Sequence, residues 1–245
     1  FLMIRRPPRS TLDRSSAASD VYKRQDLTFT HLSARVPNHP DQYLINPYGL
    51  LFQEVTASNL LKVDFDGNVI SGDHPFNATG HAIHTAILKH RQDINVVLHS
   101  HTRAGMAVSC MKAGLLPLTQ QANEIRDITA YHRYSGVASE GEEECRLLGK
   151  DLGNNWLMIL HNHGLLSVGR TLPEAFYLLY YLENACKVQV DVLSSGLEYV
   201  TPDDTVIAEL AEYGRPHTDG PIKDIGILWD ALIRMLDSED SSYKD

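Results

Sequence analysis

Residues 95–101, NVVLHSH, and residues 156–163, WLMILHNH, decide how this chain is expected to fold. Each is a short, mostly apolar run that ends in a histidine pair, His99 with His101 and His161 with His163. Apolar runs of this length, bounded by polar or turn residues, are typical of buried β-strands. Because residues i and i+2 of a strand point to the same face, we expect the two histidines of each pair to project together.

The two histidine pairs have the composition of a metal site. Two neighbouring imidazoles and a third from another strand form the ligand set of a catalytic Zn²⁺ ion, which keeps a fourth position open for water or substrate. Imidazole also binds other divalent transition metals. The alternative is that these are core or surface histidines without a metal. Two pairs, each closing an apolar run, make the metal site the favoured hypothesis.

The rest of the sequence alternates predicted strands and helices. Further strands are predicted at residues 28–36, 43–45 and 59–63. Helices are predicted at residues 80–90, 103–112, 142–152, 171–196 and 225–236. Thr171 and Glu174 have the spacing of a capping box at the start of the longest helix. Strands interleaved with helices predict an α/β fold in which helices cover both faces of a sheet.

Residues 1–25, FLMIRRPPRSTLDRSSAASDVYKRQ, stand apart from this pattern. They show no helix or strand period and resemble translated sequencing-adapter contamination at the end of a gene fragment. Their arginine and serine content also resembles a transit peptide, which is the alternative. We therefore expect a non-native leader, followed at residues 26–237 by one domain that lacks its native N-terminal segment. Residues 238–245 are expected to be a disordered tail.

The charge of the chain argues against polyanionic partners. It carries 22 Lys and Arg against 31 Asp and Glu, and without the leader the balance becomes 16 against 29. Such an acidic domain is a poor partner for nucleic acid or an anionic membrane. No apolar stretch approaches the roughly 20 residues of a membrane helix. Three widely spaced cysteines indicate free thiols and a cytoplasmic location.

Four longer motifs resemble the class II aldolase/adducin family. In chain order they are THLSARVP at 30–37, LINPYGLLFQEVTASNLLKVD at 44–64, VVLHSHTRAGMAVSCMKAGLLPLTQQA at 96–122 and LHNHGLLSVG at 160–169. The longest motifs are most similar to bacterial proteins on the adducin side of the family. The resemblance implies a three-layer α/β/α fold with a largely antiparallel central sheet. It also implies self-association as a homotetramer.

The resemblance assigns roles to individual histidines. His99, His101 and His163 match the family's three zinc ligands. His161 matches a position that varies between members, so we expect it directly behind the ligands rather than on the metal.

A second group of residues matches the substrate pocket of the family. Asn46 and Gly49 correspond to the loop that holds the substrate phosphate in the aldolases. Thr79 stands where a serine contributes to the same pocket. His31 stands where the aldolases place an asparagine for the phosphate.

One departure from the family concerns the acid/base group. The aldolases place a glutamate four residues before a helix histidine, and if that histidine is His84, the glutamate position is Gly80. They also use a tyrosine in the segment that matches residues 118–122, which contains none here. The catalytic group is therefore unknown from the sequence. Its weak candidates are His81, Glu124 and Tyr131.

Two functions of different classes remain open. The first is a divalent-metal-dependent lyase-like enzyme, or an epimerase or decarboxylase relative, that stabilises an enolate of a small sugar phosphate or sugar acid. The second is a non-catalytic, adducin-like metal-binding or assembly module. An intact set of three histidines favours the enzyme, and the missing glutamate favours the module. Adducin's cytoskeletal activity lies largely beyond its head domain, so actin binding is not expected.

Overall fold

The computed structural model describes residues 27–133, 142–215, 225–239 and 241–244. Its centre is one eight-stranded sheet. The strands are β1 (His31–Val36), β2 (His39–Ile45), β3 (Leu61–Asp64), β4 (Val69–Ser71), β5 (Val96–Ser100), β6 (Thr129–His132), β7 (Leu157–Leu160) and β8 (Gly164–Gly169). They lie side by side in the order β4-β3-β2-β1-β5-β8-β7-β6. All neighbours are antiparallel except β6 and β7, so the predicted, largely antiparallel sheet is confirmed.

Seven helices flank this sheet in the described residues. They are α1 (Ala78–His90), α2 (Arg103–Ser109), α3 (Gln120–Arg126), α4 (Glu142–Leu152), α5 (Leu172–Ser194), α6 (Asp204–Gly214) and α7 (Ile225–Glu239). Local sequence signals mark the ends of α5. The Thr171 side chain caps its first turn by accepting a hydrogen bond from the Glu174 amide. Gly196, with φ +66°, follows its last turn.

The two faces of the sheet are buried by different helices. Met158 and Leu160 of β7 belong to a core that includes α1 and α4, whereas Leu157 and Ile159 belong to a core that includes α2, α3 and α5. Consecutive strand residues point to opposite faces, so this one short strand contributes to both cores. Each such buried side chain contributes about 1.5–3 kcal/mol. The three-layer α/β/α arrangement is therefore confirmed.

Several elements differ from the sequence-based prediction. The helix predicted at residues 103–112 ends at Ser109, and Gly114, with φ +64°, closes a later turn instead. The sequence patterns do not predict α3, α6, β6 or β8. In β8 the buried stretch GLLSVG contains two glycines and a serine, which interrupt the apolar run expected of a buried strand. Gly169 is required there because a Cβ would lie 2.6 Å from the Ala175 amide nitrogen.

Residues 241–244 pack against the domain, where a disordered tail was predicted. After α7, a short 3₁₀ helix at Ser242–Lys244 buries Tyr243, whose exposed fraction is 2%. The Ala57 amide donates to the Tyr243 carbonyl oxygen over 3.0 Å, and the Tyr243 hydroxyl donates to Asp237. The predicted leader at residues 1–25 lies outside the described residues. No helix in the described ranges has the length and apolar character to cross a membrane.

Candidate metal centre

Strand β5 and the turn between β7 and β8 bring three imidazoles together. His99 lies on β5, His101 follows the end of that strand, and His163 is the last residue before β8. The ring centroid of His99 lies 4.6 Å from that of His101 and 4.8 Å from that of His163. One nitrogen of each ring lies within 4.8 Å of the others. The predicted convergence is confirmed, and metal binding by these histidines stays a prediction.

The turn at residues 161–163 determines where His163 points. Asn162 has φ +58°, in the left-handed region that asparagine tolerates better than most residues. The His163 amide then donates to the Leu160 carbonyl oxygen over 3.0 Å. A Cβ on the next residue, Gly164, would lie 2.4 Å from the Ser100 carbonyl oxygen. Glycine therefore allows β8 to start close against the histidine end of β5.

The position of His161 corrects one expectation. Strand β7 ends at Leu160, so His161 and His163 belong to a turn and do not share a strand face. The Nδ1 atom of His161 lies 3.1 Å from the Ser109 carbonyl oxygen. Its ring stacks on Tyr131, with centroids 5.7 Å apart. His161 therefore lies beside α2 and β6 rather than behind the candidate ligands.

The hydrogen bonds of His99 set which of its nitrogens faces the other two histidines. Its Nδ1 atom lies 2.9 Å from the Leu165 carbonyl oxygen, which can only accept, so Nδ1 carries the proton. Its Nε2 atom lies 2.7 Å from Nε2 of His101. Metal-bound histidines commonly hold their other N–H in this way, which fixes the ring orientation.

Burial favours the neutral form of His99 and His163. Burial first, and then the neighbouring imidazoles, His31 foremost, hold the pKa of His99 well below its ordinary value. Burial, followed by His101 and His132, lowers the pKa of His163 to about 4. Neutral imidazole is the form that binds a divalent cation. A convergent set of three imidazole nitrogens beside an open cleft therefore fits a catalytic zinc ion.

A cleft of about 490 Å³ opens over the three histidines. Its remaining lining includes His31, the aromatic rings of Phe29, Tyr48 and Phe76, and the N-terminal end of α1. A cleft of this size and mixed lining suits a small molecule, because the apolar walls exclude water while a few polar groups orient the ligand.

The predicted substrate-binding residues divide into two groups. His31 and Thr79 line the cleft. Asn46 and Gly49 lie outside its lining. The buried Asn46 side chain accepts from the Leu32 amide over 2.9 Å and so holds the start of β1. Gly49, with φ +92°, shapes the loop that carries Tyr48.

The three weak catalytic candidates lie away from this cleft, and a catalytic role for any of them stays a prediction. The Nδ1 atom of His81 lies 2.5 Å from the Tyr43 hydroxyl oxygen, against the sheet. Glu124 lines a separate cavity between α3, α5 and α6. The Tyr131 hydroxyl accepts a hydrogen bond from the Leu115 amide over 3.0 Å. None of the three lines the histidine cleft.

A buried hydrogen-bonded chain leads away from the cleft and is not evident in the sequence. Nδ1 of His31 lies 2.7 Å from Nε2 of His84, and Nδ1 of His84 lies 2.5 Å from Oγ of Ser33. His31 and His84 are 3% and 0% exposed. Because β1 and α1 are far apart along the chain, no local spacing indicates that these residues meet.

Comparisons with known proteins agree with this architecture. The family described as the Class II Aldolase and Adducin N-terminal domain matches residues 17–190, a range that begins inside the predicted leader. A Pseudomonas aeruginosa protein, provisionally named a class 2 aldolase, is 42% identical over 224 residues, covering 89% of this chain and 85% of that protein. Mouse alpha-adducin is 39% identical over 236 residues, covering 90% of this chain and 31% of that protein.

Solved structures show the same fold. An aldolase II superfamily protein from Pseudomonas syringae has a TM-score of 0.86 and 41% identity, covering 93% of this chain and 90% of its own. An L-fuculose 1-phosphate aldolase from Glaciozyma antarctica has a TM-score of 0.76 and 24% identity, covering 99% of this chain and 98% of its own. The matched range and the 42% identity to the Pseudomonas aeruginosa protein show that this chain belongs to the class II aldolase and adducin family.

Proposed function

We propose that this protein is a divalent-metal-dependent, lyase-like enzyme that acts on a small sugar phosphate or sugar acid. The observation that carries the proposal is the convergence of three histidine nitrogens, within 4.8 Å of one another, beside a cleft of about 490 Å³. Zn²⁺ is the expected metal, and another divalent transition metal is the alternative. Membership of a family that includes aldolases supports the same proposal.

The residues of this chain would hold the metal and orient the substrate. His99, His101 and His163 would supply the ligands, with the His99 ring fixed by the Leu165 carbonyl oxygen. A bound metal would polarise a substrate carbonyl and stabilise the negative charge that develops on its oxygen. The aromatic side chains Phe29 and Phe76 would exclude water from one wall of the cleft.

The N-terminal end of α1 gives the cleft a preference for anionic groups. Asn77 caps this helix, accepting from the amides of Thr79 and Gly80 over 3.0 and 3.2 Å. Asn77 and Thr79 both line the cleft. The positive end of the helix dipole therefore faces the substrate space, where it would favour a phosphate or a carboxylate.

We also propose that the enzyme works as a homo-oligomer, with a tetramer as the expected form. Helix α7 supports this proposal because Ile227 and Leu228 remain 69% and 46% exposed on it. Apolar surface of this kind commonly marks a protein interface. The free thiols of Cys110, Cys145 and Cys186 support the proposed cytoplasmic location. A monomeric mass in multi-angle light scattering at micromolar concentration would contradict the oligomer.

The match to alpha-adducin favours a second candidate function, a non-catalytic assembly module. Gly80 also favours it, because glycine cannot transfer a proton.

The experiment that separates the enzyme from the assembly module is turnover by zinc-loaded protein on a panel of ketose 1-phosphates and sugar acids, with products identified by NMR. Metal-stripped protein, and the same protein after zinc is restored, are the matched controls. Zinc-dependent bond cleavage of one panel member is the expected result. Metal binding without any turnover across the panel would favour the module.

A further inference from the structure

One side chain of the cleft can exchange protons and is not required as a metal ligand. Besides the three candidate ligands, the polar lining consists of His31, Tyr48, Asn77 and Thr79. The Asn77 side chain is occupied as the cap of α1. Of the remaining side chains, the imidazole of His31 is of the type that enzymes most often use for proton transfer. His31 is therefore the proton-exchanging group that the cleft offers beside the candidate metal position.

The sheet places His31 next to the candidate metal ligands. His31 on β1 pairs directly with His99 on β5, and their ring centroids lie 5.0 Å apart. Nδ1 of His31 is engaged by His84, which is engaged in turn by Ser33. One nitrogen of the His31 ring is thus committed to the interior. The other, Nε2, remains for a molecule in the cleft.

Gly80 provides the space that the His31 ring occupies. A Cβ on Gly80 would lie 2.6, 2.8 and 2.9 Å from the Cδ2, Cγ and Nε2 atoms of His31. The imidazole therefore fills the volume that a side chain at position 80 would need. Gly80 is the third residue of α1, and its close contact with His31 is a steric reason for glycine at this position.

We propose that His31 is the general acid/base of this cleft, in place of the side chain that position 80 lacks. The proposal rests on the proposed function. When the C–H bond beside the substrate carbonyl breaks, its proton passes to Nε2 of His31 and its electron pair passes to the carbonyl oxygen. The reverse step returns the proton to carbon. His84 is a positioning residue, because its Nε2 accepts the Nδ1–H of His31 and so keeps the lone pair of His31 on Nε2.

The experiment measures exchange of the α-proton of a hydroxyketone, which requires only this half-reaction. Zinc-loaded protein is incubated in D₂O with dihydroxyacetone phosphate or with hydroxypyruvate, which separate the phosphate and carboxylate forms of substrate. The loss of the α-proton signal is followed by ¹H NMR. We expect His31→Asn to lower the exchange rate by at least about a hundredfold with unchanged zinc content, since a positioned acid/base contributes about 10²–10⁴-fold.

The variants at position 84 separate positioning from simple structural support. His84→Gln keeps an acceptor for the Nδ1–H of His31, and we expect it to retain most of the exchange rate. His84→Leu removes that acceptor, and we expect a fall in kcat with little change in KM. Equal losses in both variants would assign His84 a structural role and contradict the positioning mechanism.

A further variant, Gly80→Ala, tests the same role without removing His31. If His31→Asn does not fold, Gly80→Ala keeps His31 but pushes its ring aside, and it should lower exchange without loss of zinc. The role of His31 is wrong if the wild type exchanges the α-proton and either His31→Asn or folded Gly80→Ala exchanges it as fast. The proposed function would then stand. Zinc-bound wild type that exchanges neither probe would instead refute the proposed function, and the catalytic role of His31 with it.

Discussion

Replacing Gly164 with alanine should disturb both the sheet and the candidate metal centre. The new Cβ would lie 2.4 Å from the Ser100 carbonyl oxygen and 3.0 Å from Cδ2 of His101. The first obstacle is backbone of the central strand β5, which cannot rotate away as a side chain can. Relief requires β8 to move from β5 at the end where Ser100 pairs with Leu165.

The size of the effect follows from the nature of this obstacle. Overpacking a well-packed site typically costs about 1–3 kcal/mol, and a backbone contact places Gly164→Ala at the upper end, about 3 kcal/mol. In a domain of this size, 1 kcal/mol changes Tm by about 2–4 °C, so we expect Tm to fall by roughly 6–12 °C. Because His101 is displaced as well, zinc affinity should fall at least about tenfold.

Urea unfolding of the metal-free protein measures the change in stability, and calorimetric titration measures zinc affinity. Gly226→Ala in α7 is the matched control, because its Cβ would meet no described atom within 4 Å. The control should leave stability unchanged or raise it by up to about 1 kcal/mol. A Gly164→Ala variant that unfolds within about 0.5 kcal/mol of the wild type and binds zinc with the same affinity would refute this steric effect.

Three other substitutions test contacts away from the cleft. Gly214→Ala should cost about 3 kcal/mol in urea unfolding, because its Cβ would lie 2.0 Å from the backbone carbonyl oxygen of Glu124; an unchanged midpoint would refute that contact. Glu174→Gln should lower the free energy of unfolding by about 2 kcal/mol, since the buried carboxylate accepts from both the amide and the guanidinium of Arg170. An unchanged Tm in thermal melts would contradict this. Tyr243→Ala should cost at least about 1 kcal/mol, a loss that a disordered tail would not show.

Local signals in the sequence predicted much of the fold correctly. The apolar runs that end at His99 and His161 are strands, and Thr171 caps the helix that it was expected to cap. These features depend on neighbouring residues, and short-range patterns report them directly. One half of the predicted capping box forms, the bond from the Glu174 amide to the Thr171 side chain. The other half does not, because the Glu174 carboxylate accepts from the Arg170 amide rather than from the amide of Thr171.

The direction of His161 could not be predicted from its spacing. The i, i+2 argument holds only while the chain remains extended, and β7 ends one residue before His161. The left-handed backbone at Asn162 then reverses the chain within the turn. Asparagine permits this conformation but does not require it, so the sequence left strand and turn equally open.

The environment of His31 depends on contacts that are distant in the sequence. His31 and His84 are separated by 53 residues, and the hydrogen bond between them forms only because β1 and α1 pack together. In the sequence, Gly80 indicates only that the carboxylate of the aldolases is missing at this position. The structure adds a steric reason for glycine, because the ring of His31 fills the adjacent space. Neither residue indicates this pairing alone.

Zinc stoichiometry shows whether His99, His101 and His163 form one metal site. His163→Ala and His161→Ala are matched variants, since both replace a histidine in the same turn but only His163 contacts His99 and His101. Each protein is loaded with zinc, dialysed and analysed by inductively coupled plasma mass spectrometry. We expect about one zinc per chain in the wild type and in His161→Ala, and almost none in His163→Ala. A wild type without zinc, or equal zinc in the two variants, would contradict it.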